Sequence, residues 1–117
     1  MIVDSGLQHI ADQLSDQGQV SMSHMAVGTG TSAEAASQTA LQTESARVAL
    51  TSKTRSDKKV VYVGDFPAGV GTGALTEVGL LNAASAGALL SRVVFPVKNK
   101  GPSDTLKIII EHTYARG

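Results

Sequence analysis

The sequence predicts a mainly β fold: an antiparallel β-sheet or β-sandwich of about six strands with an N-terminal α-helix, in a single domain over residues 1–117. Three observations carry this. From Glu44 onward apolar residues recur at every second position, the period of a strand with one buried face. The runs are joined by short polar turns, and parallel neighbours would need crossovers of a dozen residues or more. Only the first stretch of chain shows a helical period.

Residues 3–17 form the predicted helix. Val3, Leu7, Ile10, Ala11 and Leu14 line one face, Asp4 or Ser5 is placed to cap the start, and Gly18 suits the left-handed position past the end. A single apolar stripe implies that the helix lies on the sheet. Ser21–Gly28 is extended and contains His24, read as a packed or half-exposed structural residue. The 28–43 segment, GTGTSAEAASQTALQT, is small and polar with no sustained period, apart from an expected helical turn at Glu34–Leu41. A connection this long inside a compact domain is uncommon and tends to be functional, partner-bound or disordered.

The β region spans 44–114. Glu44–Arg55 reads as one long strand, with Ala46, Val48 and Leu50 alternating against Ser45, Arg47, Ala49 and Thr51. Ser56-Asp57-Lys58-Lys59 turns it into Val60–Phe66. After Pro67, the glycines Gly69, Gly71 and Gly73 let the backbone reverse into Leu75–Leu81, a strand–turn–strand unit placed at the centre of the sheet. Asn82–Gly87 is a turn, and Ala88–Val97 is a strand whose Pro96 marks an edge or a bulge. Lys98–Asp104 is a loop, and Thr105–Tyr114 closes the chain.

Composition removes several functions. Ten basic and ten acidic residues balance, which argues against nucleic-acid binding driven by a clustered basic surface; Lys53, Arg55, Lys58 and Lys59, interrupted by Asp57, read as a solvated hairpin tip. Zero cysteines exclude disulfides and thiolate zinc sites. No apolar run approaches the roughly 20 residues of a membrane-spanning helix, and Asp4, His9 and Asp12 interrupt what a signal peptide would need. His9, His24 and His112 are scattered with no acidic spacing between them, so no metal or cofactor site is assigned. The G-T-G at 28–30 and G-V-G-T-G at 69–73 lack the lysine and the following helix of a phosphate-binding loop.

Glu77 lies between Thr76 and Val78 inside an apolar run. A buried carboxylate needs a cation or hydrogen-bond donors, and Arg47 or Arg92 is the candidate partner. Glu44 and Glu77 as an acid–base pair of glycosidase type is the rival reading. The absence of Trp and the presence of only two Tyr disfavour a sugar site, so Glu44, Arg47, Glu77 and Arg92 are taken as structural ion-pair residues and no catalytic residue is assigned. Leu80-Leu81, Leu89-Leu90, Val93-Val94-Phe95 and Ile108-Ile109-Ile110 put apolar side chains on both strand faces. One face suits the core, and the other calls for a second sheet, the helix or another subunit.

The order of motifs resembles the N-terminal attachment domain of bacteriophage tail-collar fibres and related small baseplate proteins. The matching pieces are GLQHIA in the helix, HMAVGTG at 24–30, QTALQTESAR at 38–47, the 66–82 stretch FPAGVGTGALTEVGLLN, and GALLSR at 87–92. The resemblance implies a virion structural protein of the tail, baseplate or neck (collar) with no enzymatic activity, assembled in the host cytoplasm. Its partners would be itself, as a trimer or ring, and other phage tail or baseplate proteins. Glu44, Arg47, Glu77 and Gly79 become framework residues, and Gly28, Thr29, Gly30, Thr31, Gln38 and Leu41 become interface-loop residues. Fibre-attachment members often carry a long shaft, whereas this chain ends soon after its last strand, so an adaptor role is expected. A receptor- or carbohydrate-binding module of the particle is the alternative.

Overall fold

The computed structural model describes residues 1–116. One helix, α1 (Asp4–Leu14), precedes seven strands: β1 (His24–Gly28), β2 (Glu44–Ala49), β3 (Ser52–Ser56), β4 (Lys59–Phe66), β5 (Gly73–Leu81), β6 (Leu89–Lys100) and β7 (Leu106–Thr113). They form two antiparallel sheets, ordered β2-β1-β5-β6 and β3-β4-β7. The fold is mainly β, as the alternation predicts.

The layering corrects two expectations. The 44–55 run is not one strand: it breaks after Ala49, where the N–H of Leu50 bonds the carbonyl of Ser23 and that of Thr51 bonds Val63. The chain crosses between layers here, so β2 and β3 belong to different sheets. Nor do β4 and β5 form a central hairpin. β4 pairs with β3 and β7, and β5 with β1 and β6. Gly69 (φ 81°) and Gly71 (φ 69°) turn the chain from one layer into the other. Residues 34–41 hold a turn closed by Gln38 N–H on the Ala35 carbonyl, not a helical segment. β6 runs on to Lys100, so the last loop begins at Gly101. Pro96 lies on an edge strand and within a register shift, since Leu75 opposes Lys98 while Glu77 opposes Val94.

Between the sheets lies the main core, with Met25, Val27, Val78, Leu80 and Leu90 facing Tyr62, Phe66 and Ile110. A smaller cluster of Val3, Ala26, Leu41, Leu81 and Leu89 occupies the far face of the first sheet. The two faces follow from register. Met25 opposes Leu80 and Val27 opposes Val78 on the inner face, while Ala26 opposes Gly79 and Gly28 opposes Glu77 on the outer.

Helix α1 is shorter than expected and presents a different face. Val3, Gly6 and His9 are buried, whereas Leu7 and Leu14 are 56% and 84% exposed. The cause is Gly6, whose missing side chain lets the helix backbone rest on the backbone of Leu90 in β6. That close approach outweighs the larger apolar side chains of the other stripe. No side chain caps the helix; Ser5 instead donates to the Leu89 carbonyl at 2.8 Å. Ahead of α1, residues 1–3 run along the free edge of β6, with Arg92 N–H on the Met1 carbonyl and Val3 N–H on that of Leu90.

The surplus apolar strand surface inferred from sequence is therefore mostly covered internally. The second sheet takes one face of the first, and Leu41 with Val3 takes the other. On the strands, Ile109 on the outer side of the second sheet is 57% exposed and Val97 near the end of β6 is 58% exposed.

Candidate functional site

The 29–43 segment has neither helix nor strand, yet it is held at many points on the outer face of the first sheet. The anchor is Glu77 on β5. Its carboxylate accepts four hydrogen bonds: Gly30 N–H at 2.8 Å and Thr43 N–H at 2.8 Å on Oε2, and Gln42 N–H at 2.9 Å and Arg92 Nε at 2.8 Å on Oε1. Both ends of the segment are thus tied to one side chain. Neither Glu77 nor Arg92 has any side-chain exposure. Arg92, on the adjacent β6, also donates from Nη1 to the Ser32 carbonyl at 3.0 Å and to Gln38 Oε1 at 3.3 Å. Thr76, beside Glu77, donates to the Gly30 carbonyl at 2.7 Å.

Gly28 and Gly30 have a steric reason. A Cβ on either would overlap the Glu77 carboxylate, and on Gly28 also the Thr43 carbonyl. Leu41 is the apolar foot of the segment, buried against the outer face of the sheet in the smaller cluster. Thr29, Thr31 and Thr39 point to solvent. Gln38 is half-buried and its side chain closes the middle of the segment, accepting from Ala35 N–H and donating to the Ala33 carbonyl.

The partner of Glu77 is Arg92, not Arg47. Arg47 makes a two-pronged contact with Glu44, 2.9 Å from Nε and 2.7 Å from Nη2, and its Nη1 holds the 82–87 turn through the carbonyls of Ala83 and Ala86. Glu44 and Glu77 both stand opposite Gly28, on either side of β1. Two strand spacings separate them, about 10 Å between backbones. Every contact of the Glu77 carboxylate is a donor from the protein, with no access to solvent. Such a group cannot exchange a proton with a substrate.

Burial alone pushes the Glu77 carboxyl up. The Arg92 guanidinium and the N–H groups of Thr43, Gln42 and Gly30 outweigh it and hold the pKa below the ordinary 4.5. A native pKa lower than the unfolded one means that the unfolded chain binds more protons in acid. The stabilisation is complete above the unfolded value and is lost as pH falls through the native one. Replacing Glu77→Gln should therefore flatten the acid side of the stability profile. Urea midpoints taken between about pH 7 and about pH 3 should fall less steeply for the variant than for the parent chain. Equal slopes would place the acid sensitivity elsewhere.

Sequence reasoning missed Glu34, whose carboxylate accepts Val94 N–H at 2.9 Å and so ties the middle of the segment to β6. That hydrogen bond is the main reason its pKa is also lowered. It is the one charged residue in the 28–43 segment, the signal that could have found it. The backbone donors of Gly30, Gln42 and Thr43 carry no sequence signal.

Residues 1–107 match the family described as phage tail-collar fibre protein, N-terminal. No curated protein matches the chain.

Proposed function

This chain belongs to the phage tail-collar fibre N-terminal family, and on that premise we propose that it is a non-enzymatic subunit docking a tail component through the 29–43 segment. A structural role in a phage tail, and hence a place in the virion, follows from membership. The docking role rests on a single observation: a long non-repetitive segment fixed by a fully buried ion pair. An exposed loop with no task needs no such anchor, because desolvating two charges costs several kcal/mol before any is regained. What the pair supplies is a fixed shape. Preorganised in this way, the segment loses little conformational freedom when a neighbour lands on it.

In this reading Gly28, Gly30, Gln38 and Leu41 hold the shape, and Thr29, Thr31 and Thr39 meet the neighbour. The neighbour is another tail, baseplate or neck protein, and copies of the chain associate with one another through symmetric contacts. The test is complementation. Thr31→Arg and Thr39→Arg place long charged side chains on the exposed side, away from Glu77. They should leave the melting temperature within about 2 °C of the parent while excluding the protein from particles. Normal incorporation of the double variant would overturn the docking role.

A further inference from the structure

Four strands end the two sheets: β2 and β6 in the first, β3 and β7 in the second. A sheet edge is a row of unpaired N–H and C=O groups, which folds blunt with short strands, charge, proline, bulges or cover. β6 is covered by residues 1–3 and Glu34 and broken at Pro96. β2 and β3 are short, at six and five residues, and β3 is wholly exposed with Lys53 and Arg55 along it. β7 differs. It has eight residues, no proline, unbroken register with β4 and an exposed Ile109 near its middle, and no strand lies on its other side among the described residues.

The free backbone groups can be assigned. Tyr114 donates its N–H to the Lys58 carbonyl, so even-numbered residues of this strand turn toward β4. By alternation Lys107, Ile109, Glu111 and Thr113 turn their N–H and C=O groups to the open side. The side chains of Lys107, Ile109 and Glu111 share the exposed outer face. Beside the edge lies a groove of about 540 Å³ whose lining joins apolar Val93, Phe95 and Ile108 with the charged residues Lys98, Lys107 and Glu111.

We propose that β7 pairs antiparallel with β7 of a second copy about a two-fold axis at Ile109, joining the two three-stranded sheets into one. The sequence of the strand selects this occupant. Centred on Ile109, antiparallel pairing sets Lys107 against the partner's Glu111 and Glu111, which within its own chain has only an exposed 3.5 Å contact with Lys59, against the partner's Lys107. Ile109 meets the partner's Ile109 on the outer face. On the inner face the partner's Ile108 and the partner's Ile110 come beside the apolar part of that groove. This rests on the self-association part of the proposed function and gives it a two-fold pair in place of the trimer or ring that the resemblance implies.

The test uses the full chain. Sedimentation should show a dimer that Lys107→Glu or Glu111→Lys each weakens by about tenfold, while the double exchange, which restores opposite charges across the axis, recovers it. The chain has no cysteine, so Ile109→Cys gives a single reporter. A hydrogen-bonded antiparallel pair puts its Cα atoms about 5.5 Å apart, within disulfide reach. Mild oxidation should link Ile109→Cys chains in pairs and leave Ser52→Cys chains, on the β3 edge, unlinked. This arm decides the matter even if a charge variant folds poorly. An oligomer unmoved by the charge exchanges, with no linkage at position 109, overturns pairing through β7 but leaves self-association standing. A monomer at every concentration overturns both. A monomer whose β7 instead captures an extended segment of another tail protein overturns the second copy as occupant.

Discussion

Arg92→Leu is expected to cost about 3–5 kcal/mol of folding stability and to release the 29–43 segment from the sheet. The reasoning is local. Glu77 keeps its three backbone donors but loses its only cation, at a site with no solvent exposure. The Ser32 carbonyl loses the guanidinium that holds it in the middle of the segment. Removing both charges at once is no rescue. In a plain buried ion pair, apolar replacement of both partners is often neutral. Here it would leave the N–H groups of Gly30, Gln42 and Thr43 without an acceptor, and a stranded buried donor costs about 1–3 kcal/mol. Denaturant midpoints give the energy, and amide exchange at Gly30, Gln42 and Thr43 gives the location. Arg92→Leu should speed exchange there before it does so in Val27 or Val78. A loss under about 1 kcal/mol would mean that Arg92 is a spectator.

Gly6→Ala should destabilise the protein by about 2 kcal/mol, against the direction of helix propensity. In an exposed helix interior the change gains about 1 kcal/mol. At this site the new Cβ overlaps the Leu90 carbonyl oxygen and lies 2.8 Å from its carbon and 3.0 Å from its Cα. All three are backbone atoms of a strand, so no side chain can swing aside. Overpacking of this kind costs about 3 kcal/mol at the upper end of its usual range, which outweighs the propensity gain. The helix must lift off β6, and the edge pairing by residues 1–3 goes with it. A higher melting temperature for Gly6→Ala would show that the helix is only loosely seated.

Much of this was legible in the sequence where the signal is local. Alternation placed every strand from β4 onward to within a few residues, and the unpatterned 28–43 stretch marked the segment that Glu77 and Arg92 pin to the sheet. Glu77 stood out because a carboxylate in an apolar strand requires partners. What the sequence did not carry was partner choice between distant strands. The turn at Gly69 and Gly71 reads the same whether it closes a hairpin or lifts the chain into another layer. Only the fit of Phe66 and Leu75 into one inter-sheet core separates the two. The break at Leu50–Thr51 has no glycine or proline to announce it. Helix α1 shows a third limit. Its largest apolar residues suggested one face, and a glycine with a histidine decided another, because backbone approach at Gly6 mattered more than side-chain size.

Coverage of the sheets also moves the reason for proposing association. Bulk apolar strand surface does not demand it, since Leu41, Val3 and the second sheet already cover the first. The specific features are a pinned segment and, among the described residues, a β7 edge with no strand beside it.

An image of the assembled tail at residue resolution separates a docked segment from an idle one. The predicted result is that Thr31 and Thr39 lie against a neighbouring virion protein, with Glu77 and Arg92 still paired beneath them. If the segment faces open solvent in every copy, the buried pair shapes a surface that nothing uses, and the docking role is wrong.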